Sequence, residues 1–164
     1  MRFVVKQKML SLGQDFTIRT EGGEVAYRID GNLVGIGDHL SIDNAAGERV
    51  GRIDQVVISL VPSYRISIGG DHVATVRKKL FTVFRDRYVV DMTSGDDLDV
   101  TGDLLAHEYK IERHGEPIAH VSKAWLTLTD SYGVTVTDGE DPLLPLAAAI
   151  VIDMVIDDRQ AAKS

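Results

Sequence analysis

The sequence predicts a mainly β fold in which a shell of antiparallel strands closes around one buried C-terminal helix. From residue 2 to residue 136, apolar and polar residues alternate, with glycine and Asx turns at intervals of about eight to twelve residues, as in a meander of short strands. Residues 146–152 include no polar side chain, so a helix here must be surrounded by protein on every side. Closing the strands around it removes exposed sheet edges and fills the interior.

The predicted strands cover most of the first 136 residues, and some of them are expected to merge. No proline-rich linker or low-complexity tract separates them, so a single domain spanning residues 1–164 is predicted, with the barrel at about 1–137. The predicted strands are 3–5, 15–19, 25–29, 33–36, 40–42, 50–53, 57–60, 64–68, 73–77, 80–84, 88–92, 98–100, 109–113, 118–121, 125–128 and 134–136.

A short internal repeat supports the hairpins. Residues 47–53, 70–76 and 115–121 share the form Gly-x-x-apolar-small-x-apolar, and residues 22–26 are a degraded fourth copy. In each copy the glycine is expected to supply the positive φ of a turn. The small residue is expected to let the backbone approach a thick element, for which the terminal helix is the candidate.

The helix is predicted at about residues 142–158, with Asp141 as N-cap and Pro142 at the first helical position. It includes one charged residue, Asp153, and a buried carboxylate must be neutral, hydrogen-bonded or paired. Lys78 and Lys123 are the candidate partners. Each lies two positions after an apolar residue, Val76 or Val121, and so on the same face of its strand. If that face points inward, each lysine approaches the interior of the barrel or its opening. The alternative is that Asp153 meets water at an open end of the barrel.

The composition of the chain argues against several classes of function. The 164 residues include no cysteine and carry a formal net charge of -7, which disfavours nucleic acid because binding to phosphates depends on Lys and Arg. The N-terminus lacks a signal-peptide pattern, so a cytoplasmic location is expected. Acidic residues inside and beside the apolar C-terminal stretch argue against a transmembrane segment.

Several short motifs follow one another along the chain: residues 6–13 with Phe16, 27–31, 76–79, 98–103, 121–125, 130–134, 138–141 and the terminal helix. In this order they resemble the motifs of the LURP-one-related family, which shares the tubby-like C-terminal domain. The resemblance implies a closed barrel of about twelve strands around a central C-terminal helix, and this chain resembles a bacterial member.

Related families include the phosphoinositide-binding tubby proteins and the phospholipid scramblases. The resemblance therefore implies a non-enzymatic binding module for an anionic phospholipid headgroup or a small anion. Ala124 and Leu126 depart from the family pattern, in which a lysine and an aromatic residue are common. No lipidation signal is present, so any association with anionic phospholipid should be weak and electrostatic.

One basic cluster is the candidate anion site: Arg77, Lys78, Lys79, Arg85 and Arg87. The alternative is a solvated outer face of the barrel, in a soluble structural or protein-interaction protein that has no small ligand. An exposed cluster would favour the first hypothesis, and dispersal among acidic neighbours the second.

The sequence offers little evidence for a metal site or a catalytic site. Residues 97–108 place acceptable ligands at calcium-loop positions, with Asp97, Asp99 and Glu108 among them, but the flanking residues predict strands where a calcium loop has helices. The five histidines lack metal-ligand spacing and are interpreted as turn and surface residues. No nucleophile elbow or phosphate-binding glycine pattern occurs. No catalytic residue, cofactor or metal site is therefore predicted, and the protein partner remains unknown.

Overall fold

A computed structural model describes residues 1–10, 13–32, 37–79, 87–124, 126 and 130–163, and shows the closed antiparallel barrel. The described residues form twelve strands; each pairs with the next in sequence, and β1 closes the sheet against β12. The strands are β1 (Arg2–Leu10), β2 (Gly13–Thr20), β3 (Val25–Asn32), β4 (His39–Asn44), β5 (Arg49–Gln55), β6 (Ser63–Ile68), β7 (Asp71–Lys78), β8 (Tyr88–Met92), β9 (Leu98–Asp103), β10 (Glu108–Arg113), β11 (Glu116–Ser122) and β12 (Ser131–Val136).

The interior of the barrel is filled by one helix, α1 (Leu143–Lys163). Its residues 146–156 are buried and pack against inward-facing strand residues such as Ile42, Ile53 and Ile66. The helix begins as predicted, because the Leu143 backbone N–H donates to Asp141 Oδ1 at 2.9 Å. It extends five residues beyond the predicted end at residue 158.

The four repeat copies are hairpins at one end of the barrel, each with a glycine at positive φ: Gly23, Gly47, Gly70 and Gly115. Each pair of strands also has a register shift that adds one residue on the second strand, three positions after the glycine. Such a bulge bends the strand and increases its twist. The bulge falls on the apolar position in the three full copies, at Val50, Val73 and Ile118, and on Ala26 in the degraded copy.

In the copy at residues 47–53, the small residue has different nearest neighbours from the predicted helix. Gly51 lies opposite Ile42, and a Cβ on Gly51 would come within 2.9 Å of the Ser67 carbonyl oxygen and 3.3 Å of Ile42 Cδ1. At Gly51 the steric restriction therefore comes from neighbouring strands of the sheet.

Most predicted strands are present, but residues 57–60 are not a strand. They lie in the connection between β5 and β6. The predicted strands at 33–36 and 80–84, and most of the one at 125–128, fall outside the described residues.

Candidate binding site at the loop end of the barrel

The two ends of the barrel differ in character. Because the strands alternate in direction, every second connection lies at the same end. One end, here called the turn end, holds the glycine hairpins and the start of α1. The other end, here called the loop end, holds the longer connections, including those from β5 to β6 and from β7 to β8, and the C-terminal part of α1. Of the predicted functional residues, Arg77, Lys78, Lys79 and Arg87 lie toward the loop end, as does Asp153.

The predicted anion site is brought to the end of β7, where its cations meet acidic partners. The Lys79 backbone N–H donates to the Arg87 carbonyl oxygen at 2.7 Å, so these two residues are neighbours. Arg77 forms an ion pair with Asp91, and Lys79 Nζ lies 2.7 Å from Asp99 Oδ1. Lys78 is half-buried and Arg87 is exposed, whereas Arg85 lies outside the described residues. By the criterion set above, this pairing with carboxylates favours the second hypothesis, a soluble structural or protein-interaction protein that has no small ligand.

Asp153 is buried as predicted, at 4% exposure, but the structure gives it a different partner. Its Oδ1 lies 2.7 Å from His107 Nε2, rather than against Lys78 or Lys123. His107 occupies a turn as predicted, but it is buried, so its interpretation as a surface residue was wrong. Its φ of 52° is a left-handed conformation in which histidine is several-fold enriched. That preference is the one signal in the sequence that marks the position.

Aromatic rings enclose this buried pair. The His107 ring stacks on Tyr132 with centroids 5.0 Å apart. His107 Nδ1, Tyr109 Oη and Tyr132 Oη are buried and have no hydrogen-bond partner among the described residues. Burial, followed by the nearby Asp153 charge, raises the pKa of both tyrosines well above the usual value. The pair is thus an interior polar cluster rather than a surface site.

Residues 97–108 do not form a calcium loop between helices, because they include β9 and the turn that joins it to β10. Asp97 and Glu108 lie at opposite ends of β9, because Glu108 pairs with Asp103 across the β9–β10 hairpin. Asp97 Oδ1 accepts a hydrogen bond from the Met92 backbone N–H, and Glu108 Oε1 accepts one from Ser122 Oγ. Within the described residues, no group of three or more His, Asp or Glu side chains is arranged to hold a metal ion.

A cavity of about 350 Å³ opens at the loop end, between the β5–β6 connection and α1. Its walls are mainly aliphatic and include Leu60, Val61, Pro62 and Val155, and its polar lining includes Tyr64 and Asp158. This volume is at the lower end of the range of about 300–1,000 Å³ that is usual for ligand pockets. None of these residues was singled out as a binding residue from the sequence.

Beside the cavity, three large aliphatic side chains are exposed to solvent: Val57 at 51%, Ile58 at 96% and Leu60 at 97%. We call these three residues the apolar lip. Hydrogen bonds fix the connection that carries them, since the Val56 N–H donates to the Ser63 carbonyl oxygen at 2.8 Å and the Ser59 and Ser63 hydroxyls are 3.1 Å apart. The exposed side chains of the apolar lip are therefore carried by a connection that hydrogen bonds hold in place.

The charge around the cavity is negative. Tyr64 Oη donates to Asp38 Oδ2 at 3.4 Å, and Asp158 lines the wall. Partial burial, then the charges of Asp38 and Asp157, raise the pKa of the Asp158 carboxyl above its usual value. Burial and Asp38 likewise raise the pKa of Tyr64. In the described part of the chain, neither Asp38 nor Asp158 forms an ion pair with Lys or Arg.

Comparison with known proteins places the chain in a family. A family model described as LURP-one-related matches residues 1–153. The chain belongs to the LURP-one-related family. A relative in Bacillus subtilis (strain 168), named Uncharacterized protein YxjI, is 35% identical over 152 residues, which cover 93% of this chain and 91% of that protein. This Bacillus relative agrees with the expectation that the chain is a bacterial member of the LURP-one-related family.

The fold of this LURP-one-related chain also has a counterpart among solved structures. An X-ray structure of a protein from Arabidopsis thaliana superimposes with a TM-score of 0.61 at 14% identity, over 97% of this chain and 91% of that one. Together with the observed topology, this confirms the predicted tubby-like barrel with its C-terminal helix. Across the described ranges, no helix combines the length and apolar character that a membrane crossing requires.

Proposed function

We propose that this LURP-one-related chain is a non-enzymatic, cytoplasmic binding module that contacts a partner protein at the loop end of its barrel. The apolar lip is the observation that carries the proposal. Scattered single apolar residues on a surface are ordinary, but adjoining ones beside a cavity are typical of an interaction site.

The lip is suited to act as the anchor of an interface. Burying an Ile or Leu side chain contributes about 1.5–3 kcal/mol, and a factor of ten in affinity corresponds to about 1.4 kcal/mol. Ile58 and Leu60 together therefore account for at least tenfold in affinity. Val57 of the lip packs closely against the backbone of Gly37, since a Cβ on Gly37 would lie 2.8 Å from Val57 Cγ2. This close packing supports a fixed position for Val57.

A peptide-display selection on the immobilised full chain tests the proposal. Peptides that bind through the lip should bind the double variant Ile58→Ser with Leu60→Ser at least tenfold more weakly. Leu105→Ser is the matched control, since Leu105 is 65% exposed on a different connection. Binding that survives in the double variant, or a selection that yields no peptide, would overturn the proposal.

An anionic phospholipid headgroup is the second candidate, favoured by the proximity of Lys79 and Arg87 at the loop end. Each basic residue near an anionic surface contributes about 1 kcal/mol, and the attraction fades within about 8 Å at physiological ionic strength. The carboxylates of Asp91 and Asp99 offset part of it. This hypothesis predicts sedimentation with anionic vesicles at low salt, lost when Arg77, Lys78 and Lys79 are changed together to Ser. Absence of sedimentation at low salt excludes it.

A further inference from the structure

The cavity beside the lip combines two features that select one kind of side chain. Its walls at Leu60, Val61, Pro62 and Val155 are aliphatic, whereas Asp158 adds a carboxylate to the lining. Lysine and arginine have the matching construction, because an aliphatic stem ends in a charged head that stays near polar groups and water.

The charge distribution supports a cation at this position. Elsewhere on the barrel, carboxylates such as Asp91 and Asp99 are paired with a cation from the same chain. At the cavity, Asp38 and Asp158 lie close enough to repel one another, and the described residues supply neither with a Lys or Arg partner. An incoming cation relieves this repulsion, so the folded chain holds a charge arrangement that a basic ligand completes.

Building on the protein contact proposed above, we propose that this cavity receives a lysine or arginine side chain of the partner, flanked by aliphatic residues that rest on the apolar lip. The stem of that side chain lies along Val61 and Val155, and its charged head approaches Asp158. An anionic group is disfavoured because the same carboxylates repel it. A quaternary ammonium headgroup is a poorer fit, because such groups are held in aromatic cages and the cavity lining includes one aromatic residue, Tyr64.

The contact is linked to protonation. A cation favours the ionised carboxylate, so its binding lowers the pKa of Asp158, and its affinity increases as pH rises through that pKa. Asp38, Asp157 and Tyr64 are the other titratable groups that act on Asp158 or on this lining. The carboxylates of Asp38 and Asp157 also attract a cation.

The first experiment compares three probes of equal length: n-hexylammonium, 1-hexanol and hexanoate. Each is titrated into the full chain, and amide chemical shifts of the β5–β6 connection are followed by NMR. The ammonium ion should bind at least tenfold more tightly than hexanoate. In Asp158→Asn its affinity should fall toward that of the alcohol, whereas Glu116→Gln, which removes an exposed charge at the turn end, should change nothing. Retained hexanol binding by Asp158→Asn shows that the cavity is intact. Equal binding of the three probes, or no effect of Asp158→Asn, overturns the inference.

The second experiment uses the peptides selected for the lip. Replacing their basic residue with glutamine should weaken binding at least tenfold to the natural chain and less than threefold to Asp158→Asn. Peptides that need the lip but include no basic residue would refute this inference and leave the proposed function standing. Ammonium selectivity without any lip-dependent peptide would refute the protein contact and leave only the preference of the cavity for a cation. Binding to phosphatidylcholine vesicles that requires Asp158 would make the occupant a membrane and overturn the protein contact.

Discussion

The buried pair of His107 and Asp153 should be strongly coupled, and a double-mutant cycle measures that coupling. Asp153→Asn keeps the size of the side chain and removes its charge. His107→Asn suits the left-handed backbone at φ 52° because asparagine tolerates this conformation. The readout is the free energy of unfolding from urea titration, with the m-value checking that unfolding remains two-state.

The magnitudes follow from burial. His107→Asn leaves a buried carboxylate without its hydrogen-bonded partner, which costs about 3–5 kcal/mol. In the natural chain, Asp153→Asn weakens a charge-assisted hydrogen bond and costs about 1.5–3 kcal/mol. In the His107→Asn background it instead removes an unpaired buried charge, so it should stabilise the chain. The sign of the Asp153→Asn effect should therefore reverse between backgrounds, so the coupling should exceed the cost of about 1.5–3 kcal/mol in the natural chain.

The chain includes a matched control for this cycle. His114 has the same φ of 52° and lies 3.0 Å from Asp96, but their side chains are 72% and 60% exposed. Exposed pairs contribute about 0–1 kcal/mol, so the cycle of His114→Asn with Asp96→Asn should give a small coupling. If the buried cycle gives less than about 0.5 kcal/mol, or if His107→Asn costs no more than His114→Asn, the pairing described here is refuted.

Four further results are expected. Truncation before Pro142 should yield an aggregating chain, because it removes the buried helix; a cooperative thermal transition by circular dichroism would contradict this. Gly102→Ala should lower the urea midpoint sharply, since at φ 131° its Cβ would lie 2.6 Å from the Glu108 carbonyl oxygen, and an unchanged midpoint would refute the argument. The free energy of unfolding should fall as pH rises above about 10. Burial raises the pKa of Tyr88 to about 12, so in this range the unfolded chain loses a phenolic proton that the folded chain retains. Phenolate absorbance that appears before unfolding would contradict this prediction. Asp158→Asn should raise the melting temperature at pH 7, because the raised pKa of Asp158 means that its ionisation destabilises the folded state. The gain should vanish at pH values below the ordinary pKa of an aspartate. An unchanged melting temperature at pH 7 would count against repulsion between Asp158 and its acidic neighbours.

The fold was predictable because its signals are local. The unbroken apolar run of α1, the cap at Asp141 and the repeated hairpin glycines each determine structure within a few residues, and the barrel follows from their order. The prediction of a strand at residues 57–60 was wrong because it also relied on a local signal. A short apolar run fits a buried strand, and periodicity alone does not distinguish it from an exposed connection.

The site was less predictable because it depends on residues that are distant in sequence. His107 and Asp153 are 46 positions apart, and no spacing rule connects a turn histidine with a helical carboxylate. The cavity likewise joins the β5–β6 connection to the end of α1. The basic cluster was visible in the sequence, but its neutralising partners Asp91 and Asp99 lie on neighbouring strands and become neighbours only in the barrel.

The closure of β1 against β12 has a consequence for synthesis on the ribosome. β1 emerges before its partner, which is aligned as Val5 with Tyr132, and α1 follows that partner in the chain. Strand faces that will pack on the helix therefore remain exposed until α1 has emerged. Contacts this distant in sequence form slowly, and exposed apolar strands aggregate. The nascent chain should accordingly depend on chaperones most just before α1 emerges, and ribosome stalling at that point should be the most damaging within this domain.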